Sequence, residues 1–201
     1  MKRPISVGSL SLAVSVLAIS MGAAPASAAD PSRPTPHRAT AKEAVRDAEQ
    51  SVAEHPRAVR ASARDTFRSR AVEVDADGTR HVHLDRSYRG LPVLGGDVVV
   101  HSDADGDLRQ ASQTLKKPLS LATRPVVSER QAERTARKSF GNRRGTKVTT
   151  SAALVVDALS GTPRLAWRVR VDGTAPDQSP SHLNVLVDAE SPARAGTVSR
   201  P

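Results

Sequence analysis

The chain has 201 residues, with 30 Lys and Arg against 21 Asp and Glu, a formal charge of +9, no cysteine, and only Phe67, Tyr88, Phe140 and Trp167 as aromatic residues. The missing thiol excludes disulfides, thiolate metal sites and cysteine nucleophiles together, and the shortage of rings leaves Val, Leu and Ala to build a thin core. A basic balance suits nucleic acid or an acidic protein, but no basic run exceeds Arg143-Arg144 or Lys116-Lys117 and no aromatics are interleaved for base stacking, so nucleic acid is not an expected partner.

Residues 1–28 have the layout of a secretory signal peptide: basic Lys2-Arg3, an apolar run from Leu10 to Met21, and Ala26-Ser27-Ala28 as the cleavage site. The apolar run is too short for an ordinary span and no later stretch approaches the required length. The expectation is a secreted protein with no membrane association once the signal is cut, leaving 173 residues and a charge of +7. Residues 29–39, with Pro31, Pro34 and Pro36, read as an extended leader.

Thr40-Ala41-Lys42-Glu43 is a capping box. Ala41, Ala44, Val45, Ala48 and Val52 follow at helical spacing until Pro56 ends the run. Residues 57 to 66 show no clear period. Phe67 to Val74 reads as a strand, with Val72 and Val74 inward, and Asp75-Ala76-Asp77-Gly78 as turn chemistry. From His81 the chain alternates, with Val82, Leu84 and Tyr88 on one side and His81, His83, Asp85 and Ser87 on the other, the period of a strand with one buried face. Arg86 falls on the apolar side and needs an edge or an acidic partner. Arg89-Gly90 breaks the strand and Pro92 cannot donate to a ladder. Gly95-Gly96 are free to take positive φ, and Val98-Val99-Val100 resumes as a strand covered on both faces. The Asp-Ala-Asp-Gly sequence recurs at 103–106. An EF-hand counted from Asp103 would need Gly and Glu where Leu108 and Thr114 stand, so both copies read as hairpin turns. A strand from Leu108 to Leu115 closes the first unit.

Residues 116–127 hold two prolines and read as a linker. Ser128 to Gln131 is a second capping box, with Val127 as its staple and Ala132, Ala136 and Phe140 as the inward stripe, and Gly141 stands at the C-cap position. Strands follow at 148–156, 164–172 and 182–188, with Leu165, Trp167, Val169 and Val171 alternating against Arg164, Arg168, Arg170 and Asp172. Trp167 is expected to be the largest buried body of this half. Residues 190–201 carry no periodicity and read as an irregular tail. The fold class is therefore α+β, two small lobes (40–115 and 128–189), each one helix packed on a curved antiparallel sheet.

Little in the sequence supports chemistry. No His-Glu-x-x-His helix, Gly-x-Ser-x-Gly elbow or phosphate loop is present among the 201 residues. Of the histidines His37, His55, His81, His83, His101 and His182, only His81 and His83 share a strand face, and a polar outer face explains that pair more simply than a metal does. No catalytic residue, metal or cofactor is expected.

The run from Gly78 to His101, with Tyr88-Arg89-Gly90-Leu91-Pro92-Val93 and Gly95-Gly96-Asp97 at its centre, resembles the amino-terminal propeptide domain shared by fungalysins and thermolysin-like metalloendopeptidases. The second unit, with Leu165-Ala166-Trp167-Arg168-Val169 and Leu183 to Asp188-Ala189, is similar to the PepSY propeptide module. The resemblance implies an intramolecular chaperone and inhibitor whose partner is the zinc catalytic domain of a thermolysin-like metallopeptidase, the chain acting as a monomer without that domain. Read from the residues, the corner between the two strands assigns partner contact or shape definition to the loop of Tyr88, Gly90, Leu91, Gly95, Gly96 and Asp97, with Asp97 placed to satisfy the exposed N–H groups of the corner. Two alternatives stand beside it: a free-standing secreted protein that binds and inhibits proteases, and a truncated metalloendopeptidase precursor.

Overall fold

The computed structural model describes residues 40–140, 148–174, 180–191 and 195–199. The expected signal peptide, the leader, the Gly141 cap and the side chain of Phe140 lie outside them. Thr40 opens helix α1 (Ala41–Glu54) by the reciprocal device its spacing predicts: its Oγ1 accepts from the Glu43 N–H while Glu43 Oε2 accepts from the Thr40 N–H. Ala44, Ala48 and Val52 form the buried stripe. So small a face does not hold a helix in water by itself. It is held by a sheet, packing against Val59, Val82, Leu84, Val98 and Val100.

That sheet is made of β1 (Asp65–Val74), β2 (Arg80–Tyr88), β3 (Leu91–Leu94), β4 (Val98–Ser102) and β5 (Leu108–Gln113), all antiparallel to their neighbours within it. The strand alternation read from the sequence appears in β2 as Val82, Leu84, Arg86 and Tyr88 buried, with His81, His83 and Ser87 half-buried on the other side. In β4, Val98 and Val100 are buried but Val99 is only half-buried, so this strand has one covered face rather than two. Both Asp-Ala-Asp-Gly stretches are hairpin turns. Asp77 accepts from the Thr79 N–H, and Asp103 accepts from the N–H groups of Asp105 and Asp107. The turns lie side by side at α1, because buried Arg80 donates to both Asp47 of the helix and the Ala104 carbonyl of the second turn.

Arg86 stays inside rather than at an edge. It is 2% exposed. Its guanidinium donates to the Val59 and Arg60 carbonyls and to Gln113 Oε1, lies 4.9 Å above the Phe67 ring, and faces the buried carboxylate of Asp65 at 3.6 Å. Burial lowers its pKa from the ordinary arginine value and the Asp65 charge raises it again. Of the stretch from 57 to 66, which has no period, residues 57–64 form the turns that carry those carbonyls and Asp65 and Thr66 already belong to β1.

The second half opens with α2 (Glu129–Phe140), capped by Ser128 and Gln131 in the same reciprocal way. It continues through β6 (Thr149–Asp157), β7 (Arg164–Thr174), β8 (Pro180–Asp188) and β9 (Ala195–Ser199). Ala132, Ala136 and Val127 pack on Val169, Val171, Val185 and Val187. The class is α+β, but the halves are not joined only by a linker. β3 pairs antiparallel with β2 and parallel with β6, which puts the strands on one path β5-β4-β2-β3-β6-β7-β8-β9, with β1 on the other edge of β2.

Three further expectations change. The segment 116–127 is not a free linker: Leu115, Leu119 and Leu121 pack on Tyr88, Val93 and Val156, and the N–H groups of Val126 and Val127 both donate to the Ala189 carbonyl. Its apolar residues follow no period because they cover a seam, not a face. The expected irregular tail contains β9, defined by main-chain pairing to the edge of β8 and not by an apolar period. Trp167 is half-buried, its ring against the α2 cluster and its Nε1–H donating 2.8 Å to the Val127 carbonyl, which is how an indole combines an apolar body with a polar end.

Asp65→Ala would leave a buried guanidinium without its counter-charge, and the expected loss of stability is about 3–5 kcal/mol by urea denaturation. Arg70→Ala, which removes the exposed Arg70–Asp85 pair, is expected to change little. Equal losses in the two variants would mean that the Arg86 site does not hold the first half together.

Candidate functional site

Tyr88 and Leu91 are joined by a two-residue hairpin turn. Arg89 (φ 49°) and Gly90 (φ 81°) are both left-handed, as a primed turn between twisted strands demands. The β2–β3 ladder then runs for only two pairs, Tyr88 with Leu91 and Ser87 with Pro92. It stops where proline offers no N–H. Pairing to the same edge of β2 resumes at Leu84 with Val98. Three steps along β2 are thus matched by six along its partner, so three extra residues leave the ladder. β3 and β4 are one strand interrupted by an excursion around Val93 to Asp97.

That excursion is where the two halves meet. Val93 and Leu94 leave β2 and align with Val156 and Asp157 of β6. The Leu94 carbonyl accepts from the Ala158 N–H at 2.9 Å, and the Thr114 hydroxyl donates to the Gly95 carbonyl. Asp157, nearly fully buried, accepts from Arg164 Nε and Nη2 and from the Leu159 N–H, fixing the β6–β7 turn beside the corner.

The residues assigned to the loop divide into two sets. Tyr88 is fully buried in the cluster of Val93, Leu115, Leu119 and Val156, with its hydroxyl donating to the Leu121 carbonyl at 3.4 Å, and Leu91 packs against the same cluster. Gly95 carries the positive φ of the corner, +73°, and a Cβ on it would lie 3.1 Å from Leu159 Cδ2. Gly96 does not have positive φ, contrary to expectation. It is glycine because the turn closed by its N–H to the Val93 carbonyl leaves no room: a Cβ there would come within 2.8 Å of Val93 Cβ. These four face inward. Gly90 and Asp97 face solvent. Among the described residues no N–H group of the corner donates to the Asp97 carboxylate, so the expected capping of the corner by Asp97 is not seen. Sequence reasoning missed Leu94, Thr114, Asp157 and Leu159, since nothing local marks a residue whose role is pairing across sixty positions. The one usable signal was Leu159, an apolar residue in a turn, which is 63% exposed.

Among the described residues no group of three or more His, Cys, Asp or Glu side chains is placed to hold a metal ion, and no helix is long and apolar enough to cross a membrane. His81 and His83 lie on the outer face of β2, and His81 contacts His101 rather than its strand neighbour. What the corner offers is shape.

The strands that form this corner define its class. The model of the fungalysin/thermolysin propeptide motif matches residues 65–115, from the first residue of β1 to just past β5, so it contains the fork, the hairpin and the excursion together. Among characterised proteins, the chain is 35% identical over 153 residues to the transglutaminase-activating metalloprotease of Streptomyces mobaraensis, a match that covers 74% of this chain and 20% of that protein. It is 30% identical over 125 residues to the thermolysins of Alicyclobacillus acidocaldarius subsp. acidocaldarius and Bacillus caldolyticus, covering 58% of this chain and 22% of each. The chain thus spans about a fifth of the length of the curated relatives it matches. The motif and these similarities together support a thermolysin-like propeptide.

Two glycine substitutions separate backbone strain from packing. Gly90→Ala, at positive φ but in open space, is expected to lose about 1 kcal/mol. Gly96→Ala, with ordinary φ but no space, is expected to lose more, about 1–3 kcal/mol from overpacking against Val93. Urea midpoints in the reverse order would contradict the assignment of the corner as a packed joint.

Proposed function

We propose that this chain is the propeptide portion of a secreted thermolysin-like zinc metallopeptidase, and that it acts as an intramolecular chaperone and inhibitor of the catalytic domain. The observation that carries the reading is the motif match over 65–115, which takes in all five strands of the first half. In this reading residues 1–28 are the export signal, 40–115 the fungalysin/thermolysin propeptide domain and 128–189 a PepSY-like second lobe. The chain acts as a monomer toward its partner. Its effect is steric, a rigid surface on which the peptidase fold assembles and by which its cleft is blocked. Rigidity matters because a surface that must order itself on binding gives up part of its interaction energy. Tyr88, Leu91, Gly95 and Gly96 supply that rigidity from within, while Gly90 and Asp97 stand where a partner can touch them. Exposed Leu159, packed beside Gly95, belongs to the same accessible side.

The test is refolding of a denatured thermolysin-like catalytic domain with and without this chain added in trans. The expected result is a faster return of activity, followed by inhibition at a stoichiometric ratio. Asp97→Ala is expected to weaken both effects by roughly tenfold or less, the range of one partly exposed contact, while its urea midpoint stays at the wild-type value. If the wild-type chain neither speeds refolding nor inhibits, the proposal fails. If Asp97→Ala acts like wild type, the contact surface lies elsewhere on the chain.

A further inference from the structure

On the face of the first sheet away from α1, His81 of β2 and His101 of β4 stand directly opposite each other. Their Nδ1 atoms are 2.7 Å apart, and the rings meet edge to face with centroids 4.9 Å apart and planes at 72°. Each ring has a second partner. Asp75 Oδ2 lies 3.2 Å from His81 Nε2, and Ser112 Oγ lies 3.0 Å from His101 Nε2.

These contacts fix where the protons sit. An ionised carboxylate only accepts, so His81 Nε2 carries a hydrogen, and in the neutral ring His81 Nδ1 is then a lone pair. His101 therefore donates from Nδ1, and its own Nε2 accepts from the Ser112 hydroxyl. The row Ser112, His101, His81, Asp75 is satisfied throughout with both rings neutral. A first proton is accommodated by reversal. Charged His81 donates from both nitrogens, and His101 changes tautomer, accepts at Nδ1 and donates from Nε2 to Ser112. A second proton has no place, because both Nδ1 atoms would carry hydrogens facing each other at the 2.7 Å separation while two cationic rings stood in contact.

We propose that the His81–His101 couple is a pH-sensitive clasp, closed with no proton or one and opened by the second, so that acidification loosens β4 and β5 from β2 on this face. The surroundings set the order of protonation. From β1 come Glu73, opposite His81 in register, and Asp75 at the strand's end, and the turn adds Asp77, whose carboxyl is held low first by its bond from Thr79 and in small part by His81. From β2 comes His83. From β5 come uncharged Gln110, opposite His101, and Ser112, while Arg109 is engaged by Asp103. Among the described residues, Glu73, Asp75 and Asp77 stand on the His81 side, while Asp103 beyond His101 is engaged by Arg109 and His101 itself is faced by imidazoles, Gln110 and Ser112. The proton that opens the couple is therefore the one on His101. Consistent with this, burial, followed by the charges of His81 and His83, holds the His101 imidazole below its ordinary value of 6.5. The folded chain then binds this proton less readily than the unfolded chain. The contribution to stability is complete above the ordinary histidine value and is lost as pH falls below it through the folded value.

The experiment uses the full chain and needs no partner. Nitrogen NMR of the imidazoles at about pH 8 is expected to show His101 as the Nδ1–H tautomer and His81 as the Nε2–H tautomer, and on titration to about pH 5 His101 is expected to protonate below the ordinary histidine range. Thermal unfolding over the same range is expected to show the midpoint of wild type falling further than that of His101→Asn, by a few °C. Shared losses from the other histidines cancel in that comparison. An Nε2–H tautomer for His101 at the alkaline end, titration of His101 at or above the ordinary value, or an equal loss in His101→Asn each overturns the proposal. Should His101→Asn fail to fold, His81→Asn serves instead: His101 is expected to move back toward its ordinary value once its charged neighbour is gone, and an unmoved value overturns it.

Discussion

The buried guanidinium of Arg86 holds together the part of the fold on which everything else rests. It sits at the fork of β2, between the residues that pair with β3 and those that pair with β4, where the ladder on one edge is interrupted. The turn after α1 also brings carbonyls here that join no ladder, and unpaired buried carbonyls are expensive. Arg86 answers with several donors in a fixed plane. It takes the Val59 and Arg60 carbonyls of the turn after α1, Gln113 at the end of β5, the face of Phe67 on β1 and the charge of Asp65. A lysine would offer one point of charge and could not span these groups. Measured against a well-packed apolar core such a site is not obviously more stable. What it does is tie the turn after α1, β1 and β5 to β2.

Once that arrangement is fixed, the excursion from Val93 to Asp97 follows. The two β2 residues left without partners on that edge, Asp85 and Arg86, are occupied elsewhere, Asp85 by Arg70 and Arg86 by the cluster above. The partner strand is free to leave, and Val93 and Leu94 carry it to β6. The apolar cluster of Tyr88, Val93, Leu115, Leu119 and Val156 fills the seam. The chain has few aromatic side chains, and its single tyrosine is spent on this joint.

How much of this is legible in the sequence depends on the range of the interaction. The caps at Thr40 and Ser128, the two Asp-Ala-Asp-Gly turns, and the alternation of β2 and of β7 from Trp167 to Val171 depend on short-range spacing, and the structure contains each of them, whereas β8 buries Leu186 and Asp188 along with Val185 and Val187. Arg86 was visible as an anomaly, a charge on an apolar face. Its solution was not, because the groups that receive it come from residues 59, 60, 65, 67 and 113, and the carbonyls among them have no sequence signature. The parallel pairing of β3 with β6 joins positions sixty apart through two residue pairs, too few to impose a pattern. Gly96 shows the same limit at a single residue. A glycine invites the inference of positive φ, yet here the missing side chain is required by Val93, whose position only the fold determines.

The candidate site is therefore a joint that also presents a surface, and the two roles constrain each other. Residues that lock the corner cannot also adapt to a partner, since Tyr88, Gly95 and Gly96 are packed within ångströms of their neighbours. Those free to touch a partner, Gly90 and Asp97, are anchored at both ends by strands that cannot slip without moving a fully buried residue. A templating or blocking role for a propeptide, as proposed here, asks for this division. A nascent catalytic domain is the softer partner in such an encounter, so the surface it meets has to hold its shape without help. The core of this chain is thin, built largely from valine and alanine, and bulk apolar burial is a weak source of that firmness. The stiffness comes instead from directional contacts: the Arg86 fan, the Asp157–Arg164 pair, and the Leu94 carbonyl bonded to Ala158. A surface held by directional bonds keeps its geometry while the groups making them keep their protonation states. Guanidinium groups as a class do so. The imidazole pair on the outer face of the same sheet does not, and that makes it the place where the acidity of the surroundings can reach this scaffold.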